Sequence, residues 1–446
     1  MKKNNNKKKT IKLNYQRIFC ALSIGFTLGC IIFYGTRTIS LYLDTKKDKV
    51  SDTNIAMTIK KDNITNKEFI NINGSYYFTN DQTNNYLQYS NILWRIVKIN
   101  SDNSVTLISE DIITDLAYGK NKTYSESYIN KWLNNDEDET YQKYTGILEN
   151  LINDKEKYLE KISVCEDSVN EVSNESCKNK YNDKLLGILD ITDYVNTGAD
   201  KSFINNDQSF YLSNTTKDGE IWYINYENKL GKSDGEDIYG IKPTINIKAD
   251  QKIISGKGSK ENPYIIEEET TKFGSYVKLD EDIWRVTNED DDSVTLMLYD
   301  TLKKTYNYAS AGYKYDTAKI GSVAGYLNTT YLNNLSYKDI INEKSYSNGY
   351  YGKDNDYNYM DTMTGKIKAK VALPTIGDVI FKSDSNDYMT MTGSNKNGNL
   401  IYIINNSGEF YTDNSKKENN IVPIINIDKD LLTSGDGTLN NPYERK

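Results

Sequence analysis

One tyrosine-rich segment in the C-terminal part of the chain has the residue types that best suit ligand binding. Residues 345–360 read SYSNGYYGKDNDYNYM. Tyrosine rings are rigid and amphipathic, and the Ser, Gly and Asn residues between them form adaptable hydrogen bonds, as in known binding loops. An ordinary surface loop is the alternative, since the chain contains 38 tyrosines. The predicted ligand-binding residues are Tyr346, Tyr350, Tyr351, Tyr357 and Tyr359.

The chain has no histidine among its 446 residues. This excludes the commonest general base, the commonest zinc ligand and every Ser-His or Cys-His nucleophile pair. No Gly-rich phosphate loop, G-x-S-x-G turn or dinucleotide fingerprint occurs either. Any catalysis would therefore depend on carboxylates, Lys, Tyr or Cys. The sequence predicts a protein that is not an enzyme and that has no catalytic residue and no cofactor.

Two clusters of acidic residues, 280–282 and 289–292, have the oxygen ligands that Ca²⁺ prefers. The second cluster lies where a hairpin turn is expected, and a similar segment, 100–103, has mostly Asn and Ser at that turn. A solvated turn explains this composition better than a calcium site does. No metal site is predicted.

Cys165 and Cys177 are the cysteines outside the apolar N-terminal segment. An even pair of cysteines in an oxidising compartment favours a disulfide bond. Two free thiols are the alternative, and a metal site is disfavoured because no histidine is present. The sequence predicts a Cys165–Cys177 disulfide.

Charge is distributed unevenly along the chain, whose formal net charge is -8. Residues 1–17 carry seven positive charges and no acid, so the remaining residues have a net charge seven units lower, -15. Such an acidic surface repels nucleic acid, which is excluded as a partner.

The apolar segment that follows predicts attachment to a membrane. Residues 18–36 carry no charge, and they are long enough for a single-pass transmembrane helix, a signal-anchor. The preceding basic residues predict a cytoplasmic tail over 1–17 and an extracellular location for the C-terminal domains. A cleaved signal peptide is the alternative. Residues 37–64 are polar and predict a stalk.

The exterior part contains a tandem repeat. Residues 86–107 align with 276–296, each with a Trp-Arg pair and a Ser-Val-Thr-Leu strand, and residues 241–248 align with 421–428. Four of the five prolines lie at matched positions: Pro243, Pro263, Pro423 and Pro442. The pattern predicts a first repeat domain over 65–267 and a second over 271–446. A helical insertion over 136–185 is predicted in the first, with an amphipathic helix over 139–162.

The Trp-Arg hairpins at Trp94 and Trp284, the Trp-Leu-Asn-Asn segment 132–135 and the Ile-x-Pro-x-Ile-Asn-Ile strands carry a family resemblance. They resemble an uncharacterised domain of bacterial surface proteins, similar in plan to C-type lectins and formylglycine-generating enzymes. The resemblance implies an α+β fold with two repeated, β-rich, C-type-lectin-like domains. The arginine of that family's closing strand is replaced by Lys242 and Val422 here, and the calcium-binding motifs of lectins are absent.

These features together predict a membrane-anchored extracellular binding or adhesion protein without catalysis, attached through its N-terminal helix. Its candidate partner is a host or cell-surface glycan or protein. A carboxylate-dependent enzyme acting on cell-wall or host glycans is one alternative, which a pair of acids in one cleft would favour. A structural spacer is the other alternative.

Overall fold

The computed structural model describes most of the chain after residue 53. The described residues are 54–63, 69–80, 83–134, 146–170, 177–267, 272–309, 315–318, 321–349, 365–378, 387–394, 399–405 and 410–445. Residues 51–446 belong to one compact unit. Below, the first half denotes residues 54–267 and the second half residues 272–445.

The first half is built mainly of short strands. Strands β1–β16 span Phe69–Ile72, Ser75–Phe78, Tyr86–Tyr89, Ile92–Ile99, Val105–Ser109, Thr114–Ala117, Leu159–Glu160, Val164–Cys165, Lys180–Tyr181, Leu186–Ile188, Phe210–Thr215, Ile221–Ile224, Leu230–Ser233, Ile238–Ile241, Pro243–Ile247 and Tyr264–Ile265. Helices α1–α5 span Ile55–Asn63, Tyr128–Leu133, Ile147–Leu151, Lys155–Tyr158 and Ile191–Asn196, and a 3-10 turn spans Ala199–Lys201.

The second half repeats this construction with fewer helices. Strands β17–β30 span Tyr276–Leu279, Asp282–Glu289, Ser293–Leu298, Tyr306–Asn307, Lys344–Asn348, Gly365–Ala369, Val371–Ala372, Tyr388–Gly393, Leu400–Ile404, Phe410–Asn414, Glu418–Asn419, Ile424–Asp428, Leu432–Ser434 and Tyr443–Arg445. Helices α6 and α7 span Val323–Tyr326 and Leu332–Asn334, with a π-helical turn between them at Leu327–Tyr331. Two 3-10 turns span Lys338–Ile340 and Lys429–Leu431.

Tight polar turns between apolar strands produce the Trp-Arg hairpins. In the first half Tyr89 pairs with Ile92, which leaves a two-residue turn whose residues both have positive φ angles, 50° and 55°. That backbone twist matches the twist of the flanking strands. In the second half Leu279 pairs with Asp282 in the same way. The tryptophans of both hairpins, Trp94 and Trp284, are fully buried.

The main sheets of the two halves have the same strand order. In the first half the order runs β4-β5-β15-β10, and in the second half it runs β18-β19-β28-β23. On the other side of each hairpin a C-terminal strand pairs in parallel, β16 with β3 and β30 with β17. A second antiparallel sheet follows in each half, β11-β12-β13 and β24-β25-β26.

The prediction of an α+β fold is wrong, because the described residues form mostly β-sheet with a few short helices. The longest described helix, α1, has only nine residues. Isoleucine and tyrosine supply much of the buried apolar surface, and β-branched and aromatic side chains favour strands. Among the described residues no helix is long and apolar enough to cross a membrane. The transmembrane helix predicted over 18–36 lies outside them.

The amphipathic helix predicted over 139–162 is not continuous. Residues 135–145 lie outside the described range, and the remainder forms the short helices α3 and α4 and strand β7. Asp154, at the start of α4, has a φ of 44°, a left-handed conformation that interrupts the helix. The apolar residues at helical spacing are therefore buried side chains of separate short elements, among them Leu148, Leu151 and Leu159.

The two halves share a buried boundary. The Trp132 indole nitrogen donates to the Gly377 carbonyl at 2.8 Å, and the Phe410 amide donates to Asp115 at 2.9 Å. Ile376 and Tyr402 of the second half pack into the hydrophobic core of the first. The Trp-Leu-Asn-Asn segment thus stabilises the contact between halves as well as its own half.

Candidate functional site

The tyrosine-rich segment is described only at its N-terminal end. Tyr346 lies in β21 and is 8% exposed, and its hydroxyl has no hydrogen-bond partner among the described residues. Burial raises the pKa of this hydroxyl above its usual range. The Tyr346 ring is therefore part of the hydrophobic core of the second half. Tyr350, Tyr351, Tyr357 and Tyr359 lie outside the described residues, and their role in binding stays a prediction.

The acidic clusters bond to their own chain. Tyr337 donates its hydroxyl proton to Asp282 at 2.6 Å, and Ser336 donates to Asp280. Glu289 accepts the backbone amides of Lys272 and Phe273 at 2.6 and 2.9 Å. Asp280 lies in the turn before β18, and Asp282 and Glu289 begin and end that strand, so these three carboxylates hold the hairpin and the start of the second half.

The predicted disulfide between Cys165 and Cys177 is confirmed. The bond closes the end of a small hairpin formed by β8 and β9, in which Val164 pairs with Tyr181. This hairpin corresponds to β21–β22 of the second half, where Tyr346 pairs with Ile367. The disulfide loop and the tyrosine-rich segment therefore occupy matching places in the two halves.

A polar cleft of about 450 Å³ lies next to this hairpin in the first half. That volume is within the range of small-molecule sites. Its floor is formed by β5 and β15, one wall by β4 and helix α5, and the other wall by β7 and the disulfide hairpin. The lining residues used below are Tyr77, Lys98, Thr106, Glu160, Cys165, Cys177, Asp190, Asp193, Thr244 and Asn246.

An ion pair occupies the helix wall of the polar cleft. The Lys98 ammonium donates to both oxygens of Asp193, at 2.8 and 2.6 Å, and the Tyr77 hydroxyl donates to the same carboxylate at 2.6 Å. Burial alone would lower the pKa of Lys98, but the Asp193 carboxylate outweighs it and raises that pKa. Burial and then Asp193 raise the pKa of the Tyr77 hydroxyl.

Asp190 caps helix α5 at the edge of the same cleft. Its carboxylate accepts the Asp193 backbone amide at 2.7 Å, which satisfies an amide at the start of the helix. Burial, followed by the charge of Asp193, raises the pKa of Asp190 to about 7, and Lys98 opposes the rise. This carboxyl therefore gains its charge near neutral pH.

The floor of the cleft presents polar groups from adjacent strands. Thr106 and Asn246 are paired in the register, and the Thr106 hydroxyl donates to the Asn246 side-chain oxygen at 2.8 Å. Two residues away on the same face of β15, the Thr244 hydroxyl is buried and has no hydrogen-bond partner among the described residues. A buried hydroxyl without a partner is costly, so most are paired.

Glu160 forms the opposite wall, directly across from Asn246 in the register of β7 and β15. Burial raises the pKa of the Glu160 carboxyl, Asp102 adds to the rise, and a hydrogen bond from Ser104 opposes it. The cleft therefore combines hydroxyl, amide and carboxylate groups that can accept and donate hydrogen bonds to a polar ligand.

A second cleft of similar volume lies where the halves meet, and it is lined by Asn91, Tyr276 and Arg285. Asn91 donates to the Phe273 carbonyl at 2.6 Å, and Arg285 donates to the Gly274 carbonyl at 3.1 Å. These polar groups hold the junction, which makes the first cleft the better candidate site.

The residues of the polar cleft were not predicted from sequence as a site. They come from six strands, one helix and the segments beside them, and only the repeated Thr and Asn positions mark them in the sequence. The repeat alignment could have found Thr106 and Asn246, because their counterparts Thr295 and Asn426 recur in the second half.

Comparison of the chain with protein-family models, with curated proteins and with solved structures finds no match. The resemblance to C-type-lectin-like domains therefore stays a prediction, and function is inferred from the geometry of the polar cleft.

Proposed function

We propose that the first half is a non-catalytic binding module that takes a small, hydroxyl-rich ligand, such as a sugar unit of a glycan, in the polar cleft. The single observation that carries this proposal is the set of hydrogen-bonding groups that line the cleft, with the Asn246 amide, the Glu160 carboxylate and the Thr106 hydroxyl next to one another. Ligand hydroxyls can donate to and accept from such groups.

The surrounding groups support a polar contact surface. Asn246 uses its side-chain oxygen for Thr106, which leaves its amide hydrogens for a ligand. The Lys98 and Asp193 charges are paired with each other, so neither presents a net charge to the cleft. Sugars, which offer several hydroxyls in a fixed arrangement, match such a set of donors and acceptors.

The disulfide supports placing this module outside the cell, where such bonds persist. We keep a cell-surface location, with the chain held at a membrane by its N-terminal part, as a proposal. A host or cell-surface glycan is the partner that this location and the cleft chemistry favour together.

A glycan array followed by calorimetric titration would test the proposal, with Asn246→Ala as the key variant. The substitution removes the side-chain amide from the cleft floor, so affinity for a glycan that binds should fall about tenfold or more. Asn426→Ala removes the same side chain at the matched place in the second half and should leave that affinity unchanged. Equal affinity of Asn246→Ala and the original chain would refute binding at this floor.

One observation favours a second candidate, a carboxylate-dependent glycan hydrolase. Asp190, whose pKa lies at about 7, and Asp193 line the same cleft. Two carboxyl groups in one cleft are the arrangement that such enzymes use. Both carboxylates, however, are engaged by protein groups, Asp193 by Lys98 and Asp190 by the helix amide. Release of reducing ends that disappears in Asp190→Asn would favour the enzyme over the binding module.

A further inference from the structure

The two halves share a pair of polar residues at the same place in their main sheets. Thr106 is paired with Asn246 across β5 and β15, and Thr295 is paired with Asn426 across β19 and β28. The side chains of each pair also approach each other, at 2.8 Å in the first half and 3.5 Å in the second. What lies over this pair differs between the halves.

In the second half the chain itself covers the pair. The Asn342 backbone amide donates to the Asn426 carbonyl at 2.8 Å, and its side chain donates to Asp428 at 2.8 Å. Two residues later, the Lys344 ammonium donates to the Thr295 hydroxyl at 3.3 Å and to Asp290 at 2.9 Å. A primary ammonium group of the protein thus sits over the threonine.

In the first half the corresponding segment lacks that ammonium. Glu160 is paired with Asn246 in the register, and Asn342 takes the matching place beside Asn426 in the second half. Two residues after Glu160 stands Ile162, at the place of Lys344, and its side chain is buried and apolar. The polar cleft opens over Thr106, with Glu160 beside it and Asp102 nearby.

We propose that the ligand of the polar cleft is an amino sugar, whose primary ammonium group binds over Thr106 beside Glu160, in the place that the Lys344 ammonium takes in the second half. This inference rests on the proposed function and specifies its ligand. An ammonium group has three donors. The Glu160 carboxylate on the wall can accept from it, and so can the second lone pair of the Thr106 hydroxyl on the floor, whose first accepts from Asn100.

The charges around the cleft agree with a cationic group. Lys98, on the far wall, is neutralised by Asp193 at 2.6 Å. Lys161 and Lys180 also line the cleft, and Lys161 is paired with Asp183 at 2.9 Å. Asp102 and Asp250 act on the Glu160 carboxylate from one side of the charge balance and Lys248 from the other. Binding of a cation beside Glu160 would stabilise its ionised form, because an opposite charge at short range lowers the pKa of a carboxyl.

Titration of the full chain with glucosamine and with N-acetylglucosamine at pH 6 tests the inference. Acetylation removes the positive charge and keeps the ring hydroxyls, so glucosamine should bind at least tenfold more tightly. Glu160→Gln should abolish this preference with little effect on N-acetylglucosamine. Ile162→Lys, which copies the second half, should weaken glucosamine binding at least tenfold, whereas Ile162→Met, of similar length without charge, should not.

The outcomes separate this inference from the proposed function. Equal binding of the two sugars, unaffected by Glu160→Gln, would overturn the ammonium site while the binding module stands. Tighter binding of Nα-acetyl-lysine methylamide than of glucosamine would overturn the sugar as ligand. Failure of glucosamine, N-acetylglucosamine and the arrayed glycans alike to bind would overturn both. If Ile162→Lys does not fold, the Glu160→Gln result decides.

Discussion

The unpaired hydroxyl of Thr244 leads to a prediction about stability, in which removing a polar group makes the protein more stable. Thr244 is 1% exposed, and its hydroxyl has no hydrogen-bond partner among the described residues. Burying a hydroxyl without a hydrogen bond costs about 1–3 kcal/mol. Thr244→Val removes that cost and keeps the shape, so the variant should be more stable by about 1–2 kcal/mol.

The expected change in melting temperature is small but measurable. The entropy of unfolding is about 2 cal/mol/K per residue, so a unit of this size gains only about 1–3 °C from such a stabilisation. Differential scanning calorimetry without ligand, at fixed pH, is the assay.

Thr106→Val is the matched control because its hydroxyl is hydrogen-bonded within the protein. It donates to Asn246 at 2.8 Å and accepts from the Asn100 amide at 2.9 Å. Removing it takes the donor from the buried Asn246 oxygen and one of two bonds from the Asn100 amide, so that variant should be destabilised by about 1–3 kcal/mol. The reasoning about Thr244 is refuted if both valine variants lose stability to a similar extent.

Four further predictions follow from the same structure. The folded Asp190 carboxyl keeps its proton to about pH 7, whereas the unfolded one ionises near 3.8, so the original chain should lose stability as pH rises from about 4 to about 7. Asp190→Asn should not show that loss. Parallel plots of melting temperature against pH for the two proteins would contradict this. Replacing Cys165 and Cys177 with Ser should lower stability by about 3 kcal/mol in the chain-entropy model, and an unchanged melting temperature would contradict this. Peptide mapping of the original chain without reductant should recover the two cysteines cross-linked, and two alkylatable thiols would contradict that. Tyr346→Phe should leave binding unchanged and raise stability slightly, whereas Tyr350→Ala with Tyr351→Ala should weaken binding about tenfold only if the tyrosine-rich segment contacts the ligand. Protease treatment of intact cells should release peptides containing Trp94 and Trp284, and recovery only after lysis would refute the extracellular location.

The sequence by itself determined the repeated elements that local patterns encode. The strand, polar turn and strand that run from Trp94 to Leu107 and from Trp284 to Leu296 follow from apolar segments separated by Asn, Asp and Ser residues. The compartment argument and an even count were enough to predict the Cys165–Cys177 bond. The fold class, which was taken from the family resemblance, was wrong, and the helix over 139–162 was wrong because helical spacing cannot be told from short elements that each bury one side.

Tertiary structure alone decided where polar residues meet. Lys98, Asp193 and Tyr77 are up to 116 positions apart, and only the pairing of β2 with β4 and the docking of α5 bring them to one carboxylate. The same holds for Thr244. Its hydroxyl has no hydrogen-bond partner among the described residues, which follows only from the positions of its neighbours in the fold. Local spacing fixes strands and turns, whereas a cleft depends on long-range register, which a single sequence does not encode in any short window.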